Sequence, residues 1–131
     1  MKIKLYFIML TVLLVSVVSF AQQAPEISVE DIQICTSIEN RAPVGVNTSF
    51  SGDVERLYCF TKVVSNQDEA SIFHVWLYNN RVMAKIPLPV KAKTWRTWSS
   101  KKILPAWKGK WRVDIESADG NLLGSKEFEI K

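Results

Sequence analysis

The stretch SIFHVWLYNNRVMAKIPLPV, residues 71–90, decides the fold. Phe73, Val75 and Leu77 alternate with Ile72, His74, Trp76 and Tyr78, the period of two that a strand imposes on its side chains. Asn79-Asn80 tolerates positive φ and so supplies the tight turn of a β-hairpin. In the returning strand Val82, Ala84, Ile86, Leu88 and Val90 share a face, while Pro87 and Pro89 lack amide donors and place that strand at a sheet edge.

The same alternation extends in both directions. It begins at Ile27 and is clear where Ile32, Ile34, Thr36 and Ile38 interleave with Gln33, Cys35, Ser37 and Glu39. After a connection with Pro43, Gly45 and Gly52, ERLYCFTKVV (residues 55–64) is rich in aromatic and β-branched residues and reads as a central strand. Thr94 to Ser100, Lys110 to Glu116 and Leu122 to Ile130 supply three more, separated by a Pro105 loop and an Ala118-Asp119-Gly120 turn. No segment after residue 26 sustains a helical period. The expectation is an all-β domain, a single antiparallel β-sandwich of about seven strands in which an immunoglobulin-like layout is open, with a closed barrel as the alternative. Both cysteines precede Trp76, unlike an antibody-type domain, whose tryptophan lies between them.

The amino terminus reads as an export signal. Lys2 and Lys4 precede an apolar run from Leu5 to Val18, which closes on Ser19-Phe20-Ala21 before polar Gln22-Gln23. The run is shorter than the roughly 20 apolar residues a spanning helix needs. The expected organisation is a cleaved signal peptide over 1–21 and one domain over 22–131, periplasmic or extracellular. Loss of Lys2 and Lys4 lowers the formal charge of +4 by two, so the exported domain is close to neutral. In that compartment Cys35 and Cys59 are expected to form a disulfide, the alternative being two buried thiols.

Charge placement says more than net charge. Residues 70–113 contain no carboxylate but carry Arg81, Lys85, Lys91, Lys93, Arg96, Lys101, Lys102, Lys108, Lys110 and Arg112, together with all 5 tryptophans. Cations interleaved with large flat rings suit anionic ligands through charge and stacking. The densest part is WRTWSSKK, residues 95–102, where Arg96, Trp98 and Ser100 point to one side of an extended chain. The candidate ligand surface is therefore Arg96, Trp98, Lys101 and Lys102, with His74 and Trp76 as further members. The competing reading packs the tryptophans in the core and pairs the cations with carboxylates on neighbouring strands.

Catalytic chemistry is thinly supplied. His74 is the single histidine, and Ser99, Ser100 or a reduced cysteine would be its nucleophile, yet no elbow motif surrounds either serine. No dinucleotide, P-loop or zinc pattern occurs, so neither cofactor nor metal is expected.

The segments RLYCFTKV (56–63), HVWLYN (74–79), WRTWSSKKI (95–103) and GKWRVDI (109–115) followed by DGNLLGSKEF (119–128) resemble the bacterial DUF2914 family, from about Cys35 to Ile130. The resemblance implies a small exported or membrane-associated domain and brings no catalytic or binding residues with it. The functional expectation is a non-enzymatic cell-envelope module that binds an anionic glycan, lipid or protein. Its alternatives are a purely structural or protein-interaction domain and a small hydrolase using His74. Nucleic acid is not an expected partner outside the cytoplasm.

Overall fold

The computed structural model describes residues 14–16 and 24–131; the signal-peptide reading and its cleavage point at Ala21 fall largely outside them. Among the described residues ten strands form, β1 (Ile27–Cys35), β2 (Ser37–Glu39), β3 (Ala42–Val44), β4 (Ser49–Phe50), β5 (Arg56–Ser65), β6 (Ala70–Tyr78), β7 (Arg81–Val90), β8 (Thr94–Lys102), β9 (Gly109–Ser117) and β10 (Leu122–Ile130). The seven long ones are those the alternation marks out. The three additional strands are two or three residues each and lie in the stretch read as a connection and at the end of the first strand.

Two sheets face each other as an open sandwich. One has the order β1-β5-β8 and the other β4-β10-β9-β6-β7, while β2 and β3 form a separate hairpin. All pairings are antiparallel except the short β4–β10 contact. Asn79 and Asn80 have φ of 47° and 63°, as the β6–β7 turn requires, and the proline-bearing β7 is an edge strand. A bulge opposite Trp76 and Leu77 turns Val82 outward to 63% exposure, so it leaves the face shared by Ala84, Ile86 and Leu88.

Between the sheets lie Ile34, Leu57, Cys59 and Val63 from one side and Ile72, Trp76, Trp111, Val113, Ile115 and Phe128 from the other. Trp76 and Trp111 both pack on Phe128, at ring-centroid distances of 6.1 and 6.0 Å. Each of these large rings buries a wide apolar area in the core.

The β2–β3 hairpin lies on the outer side of the three-stranded sheet, β2 against β5 and β3 against β1. Asn40 and Arg41 make its turn with φ of 51° and 61°. Gly45 (φ 72°) lets the chain leave it, because a Cβ there would collide with the Thr36 side chain. The hairpin covers Cys35 and Phe60, which are buried outside the main core.

This placement corrects the expected disulfide. The register sets Cys35 opposite Tyr58 and Cys59 opposite Ile34. Opposed residues share a face and successive residues do not, so the two thiols point to opposite sides of the sheet. Both cysteines are buried and unbonded, and burial pushes both thiols above their ordinary pKa. Alkylation without reductant should accordingly label neither cysteine in the folded protein and both after unfolding. A protein that still takes up no label when unfolded would restore the bridge.

Candidate functional site

The expected surface divides into three parts that the fold separates. His74 and Trp76 project from β6 into the interface between the sheets and are 0% exposed. They are not part of any surface, which corrects their inclusion in the candidate site. Their sequence neighbours explain the ambiguity, since both faces of β6 are apolar and alternation alone cannot choose the inner one.

His74 is instead the centre of a polar chain joining the sheets. Thr61 Oγ donates to the Thr97 carbonyl at 3.2 Å and accepts from His74 Nε2 at 3.1 Å. That assigns the proton to Nε2, leaving Nδ1 to accept from Ser99 Oγ at 2.6 Å. Ser99 Oγ in turn accepts from Trp76 Nε1 at 3.0 Å. Every polar atom along the line from Trp76 to Thr97 is satisfied in one direction. Burial pushes the His74 imidazole down to a pKa of about 3, so it is neutral. Ser99 and His74 have the spacing of a nucleophile and its base. However, Ser99 is 6% exposed, both ring nitrogens of His74 are taken by hydroxyls rather than by a carboxylate, and neither His74 nor Ser99 lines the two clefts described below. No sequence pattern marks Thr61, which meets His74 only through the packing of β5 against β6.

Lys101 belongs to a second place. Alternation along β8 turns it away from Arg96, Trp98 and Lys102, and its ammonium lies 4.9 Å over the Trp107 ring and donates to the Lys102 carbonyl at 3.3 Å.

The third part is the outer face of β5 and β8. The register opposes Arg56 to Lys102, Tyr58 to Ser100, Phe60 to Trp98 and Lys62 to Arg96. Two cation–cation pairs thus face one another directly across the ladder, at positions where like charges destabilise a sheet by up to about 1 kcal/mol each. Arg56 Nη1 donates to Ser100 Oγ at 2.8 Å. Lys62 reaches Glu30 at 3.2 Å, whereas Arg41, Arg56, Arg96 and Lys102 make no ion pair with any described residue. Trp98 is half-buried. Arg41, at the hairpin tip, lies 5.7 Å from its ring and 5.3 Å from that of Trp95, and donates to the Arg96 carbonyl at 3.2 Å. Arg41 and Arg56 lie outside the acid-free segment, so charge runs in the sequence do not find them.

The rest of the basic segment is arranged in the opposite way. On the five-stranded sheet Lys110 opposes Glu129 and Arg112 opposes Glu127. Lys85 pairs with Glu116 at 3.6 Å and Arg112 with Asp114 at 3.0 Å. Cations there are opposed by carboxylates from the flanks, while across β5 and β8 cation opposes cation, with Glu30 beside Lys62 as the one carboxylate paired to them among the described residues.

Two open clefts lie elsewhere on the described surface. One of about 960 Å³ lies at the end of the sandwich and carries Glu26, Glu69 and Asp119 but no cation. The other, of about 570 Å³, holds Lys110 and Arg112 together with Glu127 and Glu129. Among the described residues no group of three or more His, Cys, Asp or Glu side chains could hold a metal ion.

Residues 69–130 match the family described as "Protein of unknown function (DUF2914)". The match takes in β6 to β10 and begins after β5, so it covers less of the chain than the motifs from Cys35 onward imply. No curated protein matches the chain. Among solved structures it is similar to part of a selenomethionine-labelled beta-glucosidase from Kluyveromyces marxianus, with 11% identity and a TM-score of 0.46, over 80% of this chain and 14% of that one.

Proposed function

We propose, for a chain that belongs over residues 69–130 to the DUF2914 family, an exported non-catalytic module that binds an acidic glycan of the cell envelope on the outer face of β5 and β8. The observation that carries this reading is the opposition of Arg56 to Lys102 and of Lys62 to Arg96. A sheet that needed only to fold would place a carboxylate in one member of each pair, as β9 and β10 do. Cations kept together at a cost to stability are a binding surface for anions.

The shape of the face favours a linear sugar. Arg96, Trp98, Ser100 and Lys102 recur every second residue, so their side chains span roughly 20 Å of one strand. Guanidinium groups match carboxylate and sulfate in two-pronged fashion. Trp98, with Arg41 5.7 Å from its ring centroid, and Tyr58 are half-buried on this face and leave part of each ring open to a sugar. The export reading of residues 1–21 supports an envelope partner and separates the domain from nucleic acid. The enclosure of His74 and Ser99 supports binding without catalysis.

Titration with dextran sulfate and alginate oligomers, followed by tryptophan fluorescence, tests the proposal. Both should bind at low salt, weaken steeply as salt rises, and lose most of their affinity in Arg56→Ala and Arg96→Ala. Neutral dextran should not bind. Equal affinity for charged and neutral polymers, or binding untouched by these substitutions, would overturn the reading. The structural alternative draws on Trp76 and Trp111, which are core residues, but leaves the two like-charged pairs unexplained.

A further inference from the structure

The loop joining β8 to β9 is unlike an ordinary surface turn. Leu104, Pro105, Ala106 and Trp107 form a β-turn closed by a 3.0 Å hydrogen bond from the Trp107 amide to the Leu104 carbonyl, with Pro105 in the second position. Pro105 suits that position, but the turn carries none of the polar residues that usually accompany it: all four of its residues are apolar. Leu104 is 41% exposed, and Pro105 and Ala106 are exposed beside it. The turn is tied to the core: Trp107 packs on Trp111 at 6.1 Å, and Trp111 Nε1 donates to the Trp107 carbonyl at 3.0 Å.

Lysines flank this apolar tip on both sides. Lys101 and Lys102 precede it, and Lys108 and Lys110 follow. Lys110 opposes Glu129 across the sheet, and Asp53 and Glu55 lie in the adjoining segment, where the Ile103 amide donates to the Glu55 carbonyl. Arg56 and the terminal Lys131 lie at the same end, so cations remain in excess there.

We infer that this turn is an interfacial membrane anchor, which inserts Leu104, Pro105 and Ala106 among the lipids of an anionic bilayer while the surrounding lysines meet the phosphates. An apolar tip ringed by long basic side chains satisfies both layers of the interface, because the aliphatic stems lie along the acyl boundary and the ammonium groups stay in the headgroups. Trp107, with one edge in the core and Lys101 over its face, occupies the depth that tryptophan prefers at a membrane surface. This goes beyond the glycan reading and does not rest on it. The two surfaces share only Lys102, and Arg56 lies between them.

Co-sedimentation with phosphatidylcholine vesicles, with and without phosphatidylglycerol, tests the inference. The protein should bind the mixed vesicles and not pure phosphatidylcholine. Lys101→Glu with Lys108→Glu should lower partitioning at least ten-fold, since each lysine near an anionic surface contributes roughly five-fold. Leu104→Ser should lower it by about five-fold or more while leaving dextran sulfate binding unchanged. Arg96→Glu should abolish the polysaccharide interaction and leave vesicle binding within about two-fold. Absence of binding to the anionic vesicles, or a Leu104→Ser protein that binds them like the original, would overturn the anchor and leave the glycan reading intact.

Discussion

Replacing His74 with alanine should cost the domain on the order of 3–5 kcal/mol, a large share of what holds a chain of this size folded. The substitution opens a cavity between the sheets and strands the hydroxyls of Thr61 and Ser99, each of which loses a buried partner. Ser99→Ala should cost less, about 1–3 kcal/mol, because it leaves only Trp76 Nε1 and His74 Nδ1 without partners. The two losses should not add, since both break one connected chain. The same chain predicts a pH dependence. An unfolded histidine binds its proton near pH 6.5 and the folded one not until about pH 3, so the unfolded state holds more protons throughout that window. Stability should be complete above the unfolded value and fall as pH drops, by about 1.4 kcal/mol per unit. Between pH 6.5 and about 5, before carboxylates protonate in number, the loss should approach roughly 2 kcal/mol. Urea unfolding across this range would detect it, and a His74→Asn protein should lack the slope. A flat profile in the unaltered protein would contradict a neutral buried ring.

The second large effect joins stability to binding with opposite signs. Arg96→Glu combined with Lys102→Glu converts both cation–cation pairs on β5 and β8 into ion pairs with Lys62 and Arg56. The folded domain should gain about 0.5–2 kcal/mol and lose affinity for dextran sulfate by at least two orders of magnitude. Lys110→Glu is the counterpart on the other sheet. It sets two carboxylates opposite each other at Glu129 and should destabilise by up to about 1 kcal/mol with little effect on polysaccharide binding. If the double substitution destabilises the domain, the charges on β5 and β8 serve the fold and the binding argument fails.

These contrasts depend on register, and register is where the sequence stops being legible. Alternation located all seven long strands, Asn79-Asn80 located a turn, and Pro87 with Pro89 located an edge. Each is a local preference of the backbone. The β2–β3 hairpin was hidden because Pro43 argues against a strand and Asn40-Arg41 lacks the glycine that usually marks such a turn. The fate of the cysteines was hidden for a different reason. Whether Cys35 and Cys59 face each other depends on parity across the β1–β5 ladder, and a shift of one residue would reverse it. The candidate surface shows the same limit. Arg96, Trp98 and Lys102 share a face as alternation implies, and Lys101 does not. That Arg56 and Lys62 would join them depends on pairing between strands some 30 residues apart, which neither composition nor period encodes.

Arg41 constrains how any partner can approach. Strand β8 ends its sheet, and an unpaired edge of this kind is an open template on which another chain can extend the sheet. The Arg96 carbonyl is one of the acceptors such an addition would need, and the Arg41 guanidinium already occupies it, held between Trp95 and Trp98. The hairpin thus takes one edge acceptor out of reach of sheet growth at this point of β8. On the proposed binding reading, a partner should meet the side chains of the face rather than the Arg96 carbonyl at its rim.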